Sequence, residues 1–68
     1  MQVECVLKEG VSVFKVDGEI NISSSPDLKK AYEKNSPKKI LVNLSRVSYI
    51  DSSGLATLVE MLKKTKSQ

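Results

Sequence analysis

The residues predict an α/β fold with element order β-β-α-β-α and a mixed sheet. Three observations carry that expectation. Residues 2 to 8 alternate apolar and polar, and a β-branched run follows across a two-residue turn. Two later stretches show 3.6-residue apolar periodicity behind helix-start signals. Between them lies "KILVNL", apolar on both faces apart from Asn43, as an interior strand with a parallel neighbour would be.

In "QVECVLK", Val3, Cys5 and Leu7 fall on one side of a strand and Gln2, Glu4 and Lys8 on the other. Glu9-Gly10 fits a tight turn, and "VSVFKV" supplies the second strand of a hairpin that Asp17-Gly18 closes. In "NISSSPDLKKAYEKNSP", Ser25 before Pro26 reads as an N-cap with proline at the first helical position. Asp27 suits the positive end of the dipole, and Leu28, Ala31 and Tyr32 form one apolar stripe. Asn35 and Ser36-Pro37 stop this helix. The third strand spans 39 to 44, "SRVSYIDSS" reads as a loop, and Leu55, Leu58, Val59 and Leu62 mark a second amphipathic helix running to about Lys66. Glu60 and Lys64 pair on its solvent face.

Composition narrows the function. The chain has 68 residues, 40% hydrophobic and 28% charged, which suits one small globular domain, residues 1–68, with a small core. The net charge of +3 comes from dispersed lysines, and Phe14, Tyr32 and Tyr49 do not cluster, so no nucleic-acid partner is expected. No apolar run approaches the length of a membrane span, and "MQVECVLKEG" shows no basic leader before an apolar core. No membrane insertion is expected, and the expected location is cytoplasmic. Cys5, on the face of Val3 and Leu7, reads as a buried thiol rather than a reactive one, and the chain has no histidine, the commonest general base and metal ligand. No cofactor, metal or catalytic residue is expected.

The stretch "YIDSSGLATLV" invites several readings. Asp51, Ser52 and Ser53 can each cap the second helix, with Gly54 allowing close packing. A strand-to-helix junction is equally a place for an anion-accepting loop. A serine nucleophile fails on partners: there is no histidine, no glycine two residues before the serine and no S-x-x-K spacing, which argues against an enzyme. Gly10, Gly18 and Gly54 lie too far apart for a glycine-rich phosphate loop.

Taken together, "VSVFKVDGEIN", "SSPDLKKAYEK" and "KKILVNLSRVSYIDSSGLATLVEMLKK" resemble the STAS domain, the fold of anti-sigma factor antagonists and of related modules in stressosomes and transporters. The resemblance covers essentially the whole chain, and "DGEIN" and "VNLSRVSYIDSSGL" are its most specific parts. It implies a mixed sheet with the helices packed on one face, lacking the family's C-terminal strand and helix. A chain truncated in that way is expected to form a homodimer or to swap elements.

The resemblance also implies a function. In regulatory members the first serine of D-S-S-G is phosphorylated by a serine kinase that is itself the anti-sigma factor, and a PP2C-type phosphatase restores it. Aligned residue by residue, Ser52 becomes the acceptor, and the implied partner surface comprises Asn21, Ser23, Ser24, Ser48, Tyr49, Asp51, Ser52, Ser53, Gly54 and Leu55. Val47 and Ile50 read equally as docking residues or as core beneath the loop. Asn21 stands where family members often carry aspartate. The alternative that the resemblance leaves open is a constitutive scaffold on a bacterial ABC lipid transporter or in a stressosome-type complex.

Overall fold

The computed structural model describes residues 1–35 and 37–66, so Ser36, part of the expected helix stop, lies outside the described residues. The elements are β1 (Gln2–Lys8), β2 (Val11–Ile20), α1 (Ser25–Asn35), β3 (Ile40–Ile50) and α2 (Ser52–Lys66). The sheet order is β1-β2-β3, with β1 antiparallel and β3 parallel to β2. The expected α/β order and mixed sheet are both present.

Glu9 and Gly10 both adopt positive φ, 52° and 82°, between the paired residues Lys8 and Val11. Two positive-φ residues give a hairpin turn whose twist matches that of its strands. Glycine takes that conformation freely, whereas Glu9 holds it at a steric cost.

Both helices pack on one face of the sheet, because the apolar residues of all three strands converge there. Val3, Cys5, Phe14, Val16 and Val42 share that face in register, and Phe14, Val16, Ile20, Leu28, Tyr32, Leu58 and Met61 are buried. The Phe14 and Tyr32 rings lie tilted with centroids 6.3 Å apart. The Thr65 hydroxyl donates to the Met61 carbonyl, so the Tyr32 hydroxyl donates to Thr65 Oγ1 at 2.6 Å and ties α1 to α2. On the surface, Lys29 and Lys64 both lie 3.3 Å from Glu60. Hydrogen bonds from Lys64, then from Lys29, with the charge of both ammoniums, hold the Glu60 carboxyl below its ordinary range. A carboxyl lowered on folding adds stability above its unfolded pKa, and that contribution fades as pH falls through the folded value.

Five expectations change. The second strand does not close at Asp17-Gly18 but continues to Ile20, with register shifts between Lys15 and Asp17 and between Gly18 and Glu19. Gly18 sits at φ 101° inside this irregularity, which a bulged strand tolerates where a side chain would be strained. The third strand likewise runs on through Ile50, so 45–50 is strand rather than loop. Third, β3 is an edge of the described sheet. Leu41 is exposed in a cross-strand row with Val6 and Val13 on the face away from the helices. Finally, the buried stripe of α2 is Gly54, Leu58 and Met61, while Leu55, Val59 and Leu62 face solvent. Leu7, expected on the buried side with Val3 and Cys5, is exposed at the hairpin end.

Replacing Glu9 by asparagine should raise stability by about 1 kcal/mol, since asparagine visits the left-handed region at lower cost. Urea unfolding of the two chains checks it, and an unchanged midpoint would mean that Glu9 is not strained.

Candidate functional site

The end of β2, the turn into α1 and the start of α2 meet at one end of the sheet. Asp51 organises the junction. Its carbonyl accepts the Leu55 N–H at 2.9 Å, the first bond of the helix, and its Oδ1 accepts the Gly54 N–H at 2.8 Å. Asp51 is therefore the N-cap, one of three candidates suggested by the sequence. Its own N–H donates to the Ile20 carbonyl at 3.1 Å, and its Oδ2 accepts the Ile22 N–H at 3.1 Å. One side chain thus serves α2 with one oxygen and the neighbouring turn with the other.

Gly54 faces inward. A Cβ placed there would meet the Ile20 carbonyl oxygen and lie 2.7 Å from Ile20 Cγ2. The helix rests directly on the strand end, and only glycine allows it.

The α1 entrance is built around Asn21, one turn earlier than the expected cap at Ser25. Asn21 Oδ1 accepts the N–H groups of Ser23 and Ser24, both at 3.0 Å, and Ser24 Oγ accepts the Asn21 N–H at 2.9 Å. This is the reciprocal geometry of a capping box. Ser24 Oγ also donates to the Glu19 carbonyl at 2.8 Å, and Ser25 donates both its N–H and its hydroxyl to the Asn21 carbonyl. An amide oxygen meets these acceptor demands as well as a carboxylate would.

Around this junction Ser23, Ser52, Tyr49 and Leu55 are exposed, and Ser53 is half-buried with its carbonyl accepting the Thr57 hydroxyl. Ser48 lies further back along β3, its hydroxyl 3.4 Å from the Gly18 carbonyl. Val47 and Ile50 pack against the core, which decides between the two readings they had. Among the described residues, none accepts or donates a hydrogen bond to the Ser52 hydroxyl. Ser52 heads an exposed stripe of α2 that runs through Leu55, Ala56 and Val59, with Glu60, Lys63 and Lys64 at its far end.

Ile22 is not singled out by the sequence, although its neighbours in "GEINISS" are. It is 73% exposed on the Asn21–Ser24 turn, beside Asp51. An apolar residue amid "NISSS" was the available signal, but hydrophobicity alone does not distinguish it from core.

The family model of the STAS domain matches residues 2–68. The chain belongs to the STAS domain family. Over 66 residues it is 32% identical to the anti-sigma-B factor antagonist of Staphylococcus aureus, an alignment covering 93% of this chain and 61% of that protein. An anti-sigma factor antagonist from Mycobacterium paratuberculosis superimposes with a TM-score of 0.83 at 32% identity, covering 93% of this chain and 56% of the other. The Bacillus anti-sigma factor antagonist SpoIIAA in its unphosphorylated form shares the fold, with a TM-score of 0.73 at 20% identity over 97% of this chain and 63% of that one. This STAS chain therefore spans about three fifths of the length of the curated relative it matches. Among the described residues no helix is long and apolar enough to cross a membrane, and no cluster of side chains could hold a metal ion.

The cap assignment predicts an order of effects in urea unfolding. Asp51→Ala should cost about 1–2 kcal/mol through the lost cap, while Ser52→Ala should stay within about 0.5 kcal/mol. A larger loss from Ser52→Ala than from Asp51→Ala would move the cap to Ser52. Gly54→Ala should cost about 3 kcal/mol, because its methyl group meets backbone rather than a movable side chain.

Proposed function

We propose that this STAS chain is a non-enzymatic, phosphorylation-switched binding module of the anti-sigma factor antagonist type. Unphosphorylated, it binds a serine-kinase anti-sigma factor; phosphorylated on Ser52, it lets go; a PP2C-type phosphatase resets it. The observation that carries this reading is the Ser52 hydroxyl itself, exposed, free of hydrogen bonds to other described residues, and set at the head of an exposed apolar stripe while Asp51 does the capping. A serine needed for the helix could not be modified without damage to the fold, whereas Ser52 can.

The chemistry is a phosphoryl transfer. The γ-phosphoryl group of ATP passes to Ser52 Oγ as its bond to the ADP oxygen breaks, and the hydroxyl proton is lost. The product carries about −1.5 to −2 charge at neutral pH. At the first turn of α2 that charge meets the positive helix end, so the domain tolerates it. A partner surface lying on Leu55, Ala56 and Val59 would have to desolvate it, and release follows. Asn21, Ser23, Ser24, Ser48, Tyr49, Asp51 and Ser53 complete the proposed contact region, with Gly54 fixing its shape from below. An ATP-driven switch of this kind works in the cytoplasm.

Ser52→Ala should bind the anti-sigma kinase as the native chain does and should no longer be released on adding ATP. Mass spectrometry of the native protein from its own cells should place phosphate on Ser52. Release that persists in Ser52→Ala refutes the assignment, and a serine left unmodified through growth and stress would favour the constitutive scaffold.

A further inference from the structure

The turn that carries Ile22 is closed upon itself. Asn21 Oδ1 takes the N–H groups of Ser23 and Ser24, and Ser24 Oγ takes that of Asn21. The Ile22 N–H is the exception, since it points out of the turn to Asp51 Oδ2. The same carboxylate holds the Gly54 N–H with its other oxygen, and the next residue in the chain is Ser52. Ile22, 73% exposed, and Leu55, 58% exposed, are thus held near Ser52 from two separate segments, with Asp51 joining them.

We propose that Asp51 is a positioning residue that couples the charge on residue 52 to the Asn21–Ser24 turn, so that phosphate on Ser52 releases Ile22 from the docking surface. This rests on the phospho-switch reading of Ser52 and extends it: the partner has an apolar hollow that accepts Ile22 together with Leu55, and phosphorylation disturbs both. A phosphate one residue from Asp51 acts on its carboxylate in two ways. It repels the like charge, and its oxygens compete for the first-turn N–H groups of α2 that Asp51 Oδ1 now serves. Of the two Asp51 bonds, the one to Gly54 is shorter, at 2.8 Å, and partly buried, while that to Ile22 is 3.1 Å and exposed. Repulsion between neighbouring surface charges is comparable with the net contribution of one exposed hydrogen bond, so the outer bond yields first. The rest of the turn stays held by its internal bonds, by Glu19 and by the Ser25, Asp27 and Leu28 donors of α1, so the loosening is confined to Ile22.

Chemical synthesis can place phosphoserine at position 52 without any kinase, and amide hydrogen exchange followed by NMR reads the Ile22 and Gly54 N–H groups separately. Phosphoserine should speed exchange at Ile22 by about tenfold while Gly54 and the core strands stay protected. Asp51→Asn should produce the same change at Ile22 without phosphate, since its amide oxygen still accepts from Gly54 but its NH₂ cannot accept from Ile22. Adding phosphoserine to Asp51→Asn should then change Ile22 no further. An Ile22 rate that phosphoserine leaves unaltered overturns the proposal. So does one that phosphoserine raises equally in the Asp51→Asn background, because the charge would then act without Asp51. The native and phosphoserine chains decide the first point even if Asp51→Asn fails to fold. Because the phosphate is installed synthetically, failure here leaves the phospho-switch reading standing, and that reading fails separately if Ser52 is never modified in cells.

Discussion

The seating of α2 on the end of β2 governs the rest of the molecule. Ile20 is fully buried, its carbonyl receives the Asp51 N–H, and its carbonyl and Cγ2 lie where a Cβ on Gly54 would go. Backbone contact at this point sets the depth and angle at which the helix meets the sheet. Leu58 and Met61, one and two turns on, can therefore reach Phe14 and the α1 residues Leu28 and Tyr32 to form one core. In a chain that buries so little surface, one such contact has no substitute elsewhere.

The same junction is where the proposed switch would sit. A capping side chain is fixed by the helix it serves, so a modifiable residue must be a neighbour rather than the cap itself. Asp51 takes the structural role, and Ser52 is left on the solvent side of the first turn. Asp51 also reaches the Asn21–Ser24 turn, which makes two chemically separate helix entrances into one surface.

Element order was legible because each element shows its own period: two in β1, and 3.6 in α1 with Leu28, Ala31 and Tyr32. Boundaries failed where local chemistry masked a strand. Gly18 reads as a stop, yet it permits the irregular stretch through which β2 reaches Ile20. Ser45, Arg46 and Ser48 read as loop because β3 has no helix on its far face, where polar residues are at home. The phase of α2 was ambiguous for a different reason. Leu55, Val59 and Leu62 make as good a stripe as Leu58 and Met61, and the residue that decides between them is Gly54, which hydrophobicity does not register. At the site, residue types pointed to a cap among Asp51, Ser52 and Ser53. Choosing Asp51 required the Gly54 and Ile22 N–H groups to be located in space.

The second apolar stripe of α2 follows from that phase. A helix with one face on the sheet and another apolar face toward solvent has more hydrophobic surface than its own core uses. Here the surplus begins at Ser52 and runs through Leu55, Ala56 and Val59. A charge at the head of such a surface is well placed to control what lies on it. In water a phosphate there would be solvated and cost the isolated domain little, but a partner that covers the stripe would have to strip that solvation away. On the proposed reading the larger penalty falls on the complex rather than on the fold, the asymmetry that a reversible binding switch needs.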